Sequence, residues 1–133
     1  MTSAVKYQGD LRTTASHLQS GISIITDAPT DNNGKGQAFS PTDLVATALA
    51  SCLITIMGIK ANSLEIDFGN PTAEVTKIMG SNPRRISEIK VEITLSKDID
   101  LGDRNSLEAA AKACPVAKSL HPDLKQTIDF IYT

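Results

Sequence analysis

Tryptophan is absent from these 133 residues, and there are only five aromatics: Tyr7, Phe39, Phe68, Phe130 and Tyr132. A core must therefore be built mainly from Ile, Leu, Val and Ala. Basic runs are also missing. The formal net charge is −2 with both signs spread along the chain, and Arg84-Arg85 is the sole adjacent basic pair, which a solvated turn explains. This excludes the footprint of a nucleic-acid or anionic-membrane binder. There is no Walker or Rossmann glycine pattern, since Gly34-Lys35-Gly36 is too short, and no repeat or low-complexity tract. The opening residues Met1 to Tyr7 lack a basic segment followed by an apolar one. The longest apolar stretch, Leu44 to Ile59, is broken by Thr47, Ser51, Thr55 and Gly58 and falls short of the about 20 residues a membrane span needs. The expectation is a single cytoplasmic domain over residues 1–133, with no cofactor and no nucleic-acid or membrane partner. Only two cysteines occur. In a reducing compartment such a pair is more often catalytic or indifferent than a structural staple.

Three strands are expected between Val5 and Thr26, punctuated by turns at Gln8-Gly9-Asp10 and Ser20-Gly21, as an antiparallel meander. Asp27 to Phe39 reads as loop, flexible in composition around Asn33-Gly34-Lys35-Gly36. Ser40 then offers an N-cap, Pro41 the first helical position, and Asp43 a capping-box partner. The helix they open should reach about Asn62. It is apolar nearly all round, which predicts burial on most sides and a partner chain to complete the cover. One extended run, bent near Gly69-Asn70-Pro71, is expected from Ile66 to Ile78. A turn follows at Met79 to Pro83, then a strand from Ile86 to Leu95 with Ile89, Val91, Ile93 and Leu95 alternating against polar residues. A helix from Asp103 to Ala113, a short one after Pro115, and a strand from Gln126 to Tyr132 complete a βββ–α–ββ–αα–β order, an α+β arrangement.

The chemistry rests on the thiols. At about 100° per residue, Cys52 shares a helix face with Val45, Ala48, Leu49, Thr55 and Ile56. Taken alone it reads as a small buried hydrophobe, inert unless a cation or donor reaches it. Cys114 precedes Pro115, which keeps it out of the α region and makes it the N-cap of the short helix after Pro115. There it either fills a helix corner or gains thiolate character from the helix terminus. Arg12, Arg84, Arg85 and Lys60 are candidate cations. Arg12 stands in a strand with an exposed-looking neighbourhood, where a lone arginine is ordinarily a surface charge. His17 and His121 have no ligand-spaced companions, so no metal site is expected.

The sequence as a whole resembles the OsmC/Ohr family, named for osmotically inducible protein C and organic hydroperoxide resistance protein. The resemblance is carried by Ser40-Pro41-x-Asp43-Leu44, Ala48-Leu49-Ala50-Ser51-Cys52 and Cys114-Pro115-Val116. Tyr7-x-Gly9-Asp10-Leu11-Arg12, Asp27-Ala28-Pro29 and Pro83-Arg84-Arg85-Ile86 agree with it. It implies an intertwined homodimer in which antiparallel sheets wrap long buried central helices. It also implies a two-cysteine reduction of small organic hydroperoxides in oxidative-stress defence, with Cys52 peroxidatic, Cys114 resolving, and a lipoyl-type dithiol as reductant. The family activates its first thiol with an arginine, matched here by Arg12, and with an acid at the start of the helix. In the hydroperoxide-resistance branch that acid lies ten positions before the cysteine, where this chain has Thr42; Asp43 is the next residue, turned about 100° around the helix. Two other readings stay open beside the hydroperoxide reductase: a non-catalytic protein of this fold that binds a small apolar ligand at a dimer interface, and a structural dimer with incidental cysteines.

Overall fold

The computed structural model describes all 133 residues, which divide into two compact units, Met1–Val45 and Ala46–Thr133. The N-terminal unit holds strands β1 (Ser3–Gly9), β2 (Arg12–His17) and β3 (Ser23–Asp27), an antiparallel meander in that order. The register sets Val5 opposite Ala15 and Ala15 opposite Ile24, so these residues share one face. That face is largely uncovered in the single chain: Val5 is 67 % exposed and Ile24 46 %. The buried residues of this unit are Thr26, Asp27 and Ser40, all polar.

The segment after β3 has a flexible composition, yet it is folded into hydrogen bonds. One helical turn spans Thr30–Asn32. The Gly34 N–H donates to Pro29 O at 2.9 Å, and the Gly36 N–H to Ala28 O at 3.3 Å. Position 34 must be glycine, because a Cβ there would lie 1.6 Å from the Ala28 carbonyl oxygen. This close return brings Gln37 back beside Asp27.

Helix α1 (Pro41–Ser63) is shared by the two units. Its expected start is met in full. The Ser40 Oγ accepts the Asp43 N–H and the Asp43 Oδ2 accepts the Ser40 N–H, both at 3.0 Å, a closed capping box. At 23 residues α1 is longer than its apolar stretch suggests, and by length and composition alone could cross a membrane. Its buried face instead belongs to the core of the C-terminal unit.

That unit adds β4 (Thr72–Gly80), β5 (Arg85–Leu95), α2 (Leu101–Lys112), α3 (Pro115–Ser119) and β6 (Lys125–Tyr132). The element order agrees with the sequence. The second sheet, ordered β4-β5-β6, is mixed rather than wholly antiparallel, since β5 and β6 run parallel. The chain leaves β5, passes through α2 and α3, and returns in the same direction, as a crossover connection requires. The extended run expected from Ile66 begins only at Thr72. Glu65 and Gly69 take left-handed φ of 57° and 64°, and the Ile66 N–H donates back to Ala61 O at 2.9 Å. The segment therefore wraps the end of α1 and packs Ile66 and Phe68 on the core. Helix α2 starts two residues earlier than read, at Leu101, with Asp100 as N-cap.

Ile89, Val91, Ile93 and Leu95 of β5 are buried, as their alternation predicts, together with Leu49, Leu53, Met57 and Ala61 of α1 and Leu107 and Ala111 of α2. Each fully buried Leu or Ile contributes about 1.5–3 kcal/mol. The expectation that α1 is buried on most sides is corrected. Ala46, Leu49, Ala50, Leu53, Met57 and Ala61 are buried, but Ala48, Ser51, Thr55 and Ile59 are not, and Ile59 is exposed by 60 %. The sheet and α2 cover one side of the helix, and within this chain the other side meets solvent.

Candidate active site

Cys52 lies on the open side of α1. It is half-buried, while Cys114 is fully buried, and both thiols are free. Ala48, Cys52, Thr55 and Ile59 succeed one another by four, three and four residues, the spacing of a single helix seam. Leu53, one position on, points into the core. Cys52 is therefore not the inert core thiol its apolar helix suggests.

Cys114 sits where proline places it. With φ −63° and ψ 145° it is the N-cap of α3, and its Sγ accepts the Ala117 N–H at 3.3 Å. Its thiol is hydrogen-bonded to that of Cys52, so two cysteines 62 positions apart in sequence meet. Burial pushes the Cys114 thiol above the ordinary cysteine range, and the neighbouring Cys52 pushes it the same way. The backbone N–H groups of Ala117 and Val116 oppose them, but do not reverse the shift. Cys114 is thus held as a protonated thiol beside a more accessible one. The sequence left open whether this position would favour thiolate, and burial decides against it.

Arg12 opens β2 directly opposite Asp27, the last residue of β3. It is no lone surface charge. Arg12 Nε donates to Asp27 Oδ1 at 2.7 Å and Nη2 to Asp27 Oδ2 at 2.9 Å, a bidentate ion pair with a carboxylate whose side chain is 1 % exposed. Gln37 closes the group. Its Oε1 accepts from Arg12 Nη2 at 3.1 Å, and its N–H donates to Asp27 Oδ2 at 3.1 Å. The hydrogen bonds from Arg12 hold the Asp27 carboxyl below the usual carboxylate range, and the same pairing raises the guanidinium further.

Asp43 is engaged at the helix cap with Ser40, and Thr42 also meets the Ser40 hydroxyl, at 3.2 Å. The structure thus brings Cys52 to Cys114, Arg12 to Asp27, and Asp43 to Ser40. Sequence reading missed the partners Asp27 and Gln37. The signal for Asp27 was an acid ending an apolar strand, and it becomes a partner only once the meander register is known. His17 and His121 bond within local turns, to Ser20 and Asp123, and no group of three or more His, Cys, Asp or Glu is placed to hold a metal.

Among curated proteins, none matches the sequence. A solved structure from Psychrobacter arcticus 273-4, assigned provisionally as an osmotic stress induced and detoxification response protein, is 57 % identical. It aligns over 98 % of this chain and 95 % of its own, with a TM-score of 0.94. An OsmC-like protein from Mycoplasma pneumoniae shares the fold at 18 % identity (98 % and 95 % covered, TM-score 0.82). An organic hydroperoxide resistance protein OsmC from Legionella pneumophila does so at 17 % (98 % and 97 %, TM-score 0.74). The family model described as OsmC-like protein matches residues 34–129, both cysteines included. The chain belongs to the OsmC/Ohr family of OsmC-like proteins.

Proposed function

We propose that this protein is a thiol-dependent hydroperoxide reductase acting in oxidative-stress defence. The observation that carries this reading is the contact between a half-buried Cys52 and a buried, protonated Cys114. Relatives from Legionella pneumophila and Elizabethkingia anophelis described as organic hydroperoxide resistance proteins support the substrate class.

The steps are those of thiol chemistry. The Cys52 thiolate attacks the terminal oxygen of a hydroperoxide, the O–O bond breaks, and the alkoxide takes a proton and leaves as an alcohol. Cys52 is left as a sulfenic acid. Cys114 gives up its proton and attacks the Cys52 sulfur; a disulfide forms and water departs. Having Cys114 within hydrogen-bonding reach makes this second step fast relative to over-oxidation. A small dithiol of lipoyl type then reduces the disulfide. Arg12 is the donor that steadies the reacting thiolate and the departing oxygen, whereas Asp43 serves to cap α1.

The working unit is a cytoplasmic homodimer in which residues 1–133 act as one domain. The exposed α1 seam from Ala48 to Ile59 and the uncovered face around Val5 and Ile24 support a second copy as their cover.

The test is consumption of cumene hydroperoxide against hydrogen peroxide. Cys52→Ser should abolish turnover, and Cys114→Ser should leave a single turnover. Undiminished consumption by Cys52→Ser would refute the mechanism.

A further inference from the structure

The acid expected near the start of α1 is committed elsewhere, yet Arg12 does have a carboxylate partner, fifteen residues away on the adjacent strand. A guanidinium offers five N–H donors in a fixed plane. Asp27 takes one from Nε and one from Nη2, and Gln37 takes the second from Nη2. The Nε–Nη2 edge is thereby filled, and Nη1 retains two N–H groups for another acceptor. The side chain keeps 28 % of its surface, while Asp27 is sealed at 1 %. Gln37 is itself set by the glycine-dependent return of the loop, where Gly34 packs on the Ala28 carbonyl. The only other charge acting on Asp27 is Lys35, which also lies 3.9 Å from Asp10.

We infer that Asp27 is a positioning residue: it grips one edge of Arg12 and so aims the other, making Arg12 an oriented hydrogen-bond donor rather than a free cation. The inference rests on the hydroperoxide reductase reading, in which Arg12 serves the Cys52 thiolate. It assigns to a strand carboxylate the role that a helix-start acid would otherwise play. The ion pair has no net charge, so what Arg12 delivers is direction. A lysine cannot substitute, because one ammonium cannot be held on one edge while presenting another.

The two accounts of Arg12 differ in sign. If Arg12 acts as a free cation, removing the Asp27 charge makes the site more positive and Cys52 more reactive. If Asp27 aims Arg12, removing it slows the thiol. The experiment measures the rate of Cys52 alkylation by iodoacetamide as a function of pH, in the Cys114→Ser background, together with cumene hydroperoxide consumption in otherwise unchanged protein. Expected are losses of about tenfold or more in Asp27→Asn and in Arg12→Lys, with the alkylation profile moved to higher pH, and partial recovery in Asp27→Glu. Asp27→Asn at or above the unsubstituted rate, or Arg12→Lys at that rate with a native circular dichroism spectrum, overturns the inference. The second variant decides the matter if Asp27→Asn does not fold. Alkylation unaffected by Arg12→Gln overturns both the arginine's role and this inference. Absence of hydroperoxide consumption in the unsubstituted protein, with the alkylation losses intact, refutes the peroxidase reading and leaves the Asp27 assignment standing.

Discussion

The two units are held together by opposite means. In the C-terminal unit the buried residues are apolar, with Leu49, Leu53, Met57, Ile89, Ile93 and Leu107 all at 0 % exposure. In the N-terminal unit the buried residues are Thr26, Asp27 and Ser40, while Val5, Tyr7, Ile22, Ile24 and Phe39 face outward. The C-terminal unit has a core of its own; the N-terminal unit has an ion pair, a loop of hydrogen bonds and an unused apolar face. A three-stranded sheet needs a covered hydrophobic face to be independently stable, and about 45 residues are too few to supply one unaided. The result is a division of labour: one unit fixes the thiols, and the other fixes the arginine and presents surface for a partner.

The sharpest break of this comparison comes from truncating the core. Leu53→Ala or Ile93→Ala should cost about 2–5 kcal/mol in urea unfolding, because each leaves a cavity among residues that cannot close over it. Val5→Ala should cost far less in a monomer; a loss as large as that at Leu53 would mean the sheet is fully covered in solution. Next in size, Ile59→Glu places a charge on the exposed seam of α1. Light scattering should then report the mass of one chain instead of two, with circular dichroism unchanged. Ser40→Ala opens the capping box and should cost about 1 kcal/mol.

The smallest effect separates the units by pH. The Asp27 pKa is lowered in the folded protein, so its ion pair contributes stability that is present above the unfolded carboxylate pKa, near 3.9, and is lost as pH falls through the folded value. The stability difference between unsubstituted protein and Asp27→Asn should therefore shrink below about pH 4. The C-terminal unit has the opposite marker. Burial and a hydrogen bond to Glu108 push Tyr132 up to about 12, so its contribution is complete below the ordinary tyrosine range and fades as pH rises through about 12. A Tyr132→Phe variant should remove that alkaline dependence.

Much of this was legible in the sequence because it is local. Ser40, Pro41 and Asp43 announce the start of α1 through bonds between neighbours, β5 declares itself by alternation, and Cys114 is made an N-cap by the proline after it. What was not legible depends on register or on what covers what. Arg12 meets Asp27 only through the pairing of two strands, and no spacing rule singles out fifteen residues. An apolar helix reads the same on every side, so the side of α1 left open, and with it the accessibility of Cys52, emerges only when the sheet takes its place. The parallel return of β6 likewise comes from the crossover and leaves no mark in its residues.

The central claim is that Cys52 and Cys114 form one redox couple. Its most direct measurement is peptide mapping by mass spectrometry after a single equivalent of cumene hydroperoxide under non-reducing conditions. A Cys52–Cys114 disulfide within one chain is the expected product, lost on adding a lipoyl-type dithiol and replaced in Cys114→Ser by a sulfenic acid at Cys52. Both thiols remaining free while the peroxide is consumed, or Cys52 passing to sulfinic acid with Cys114 still present and reduced, would contradict the account.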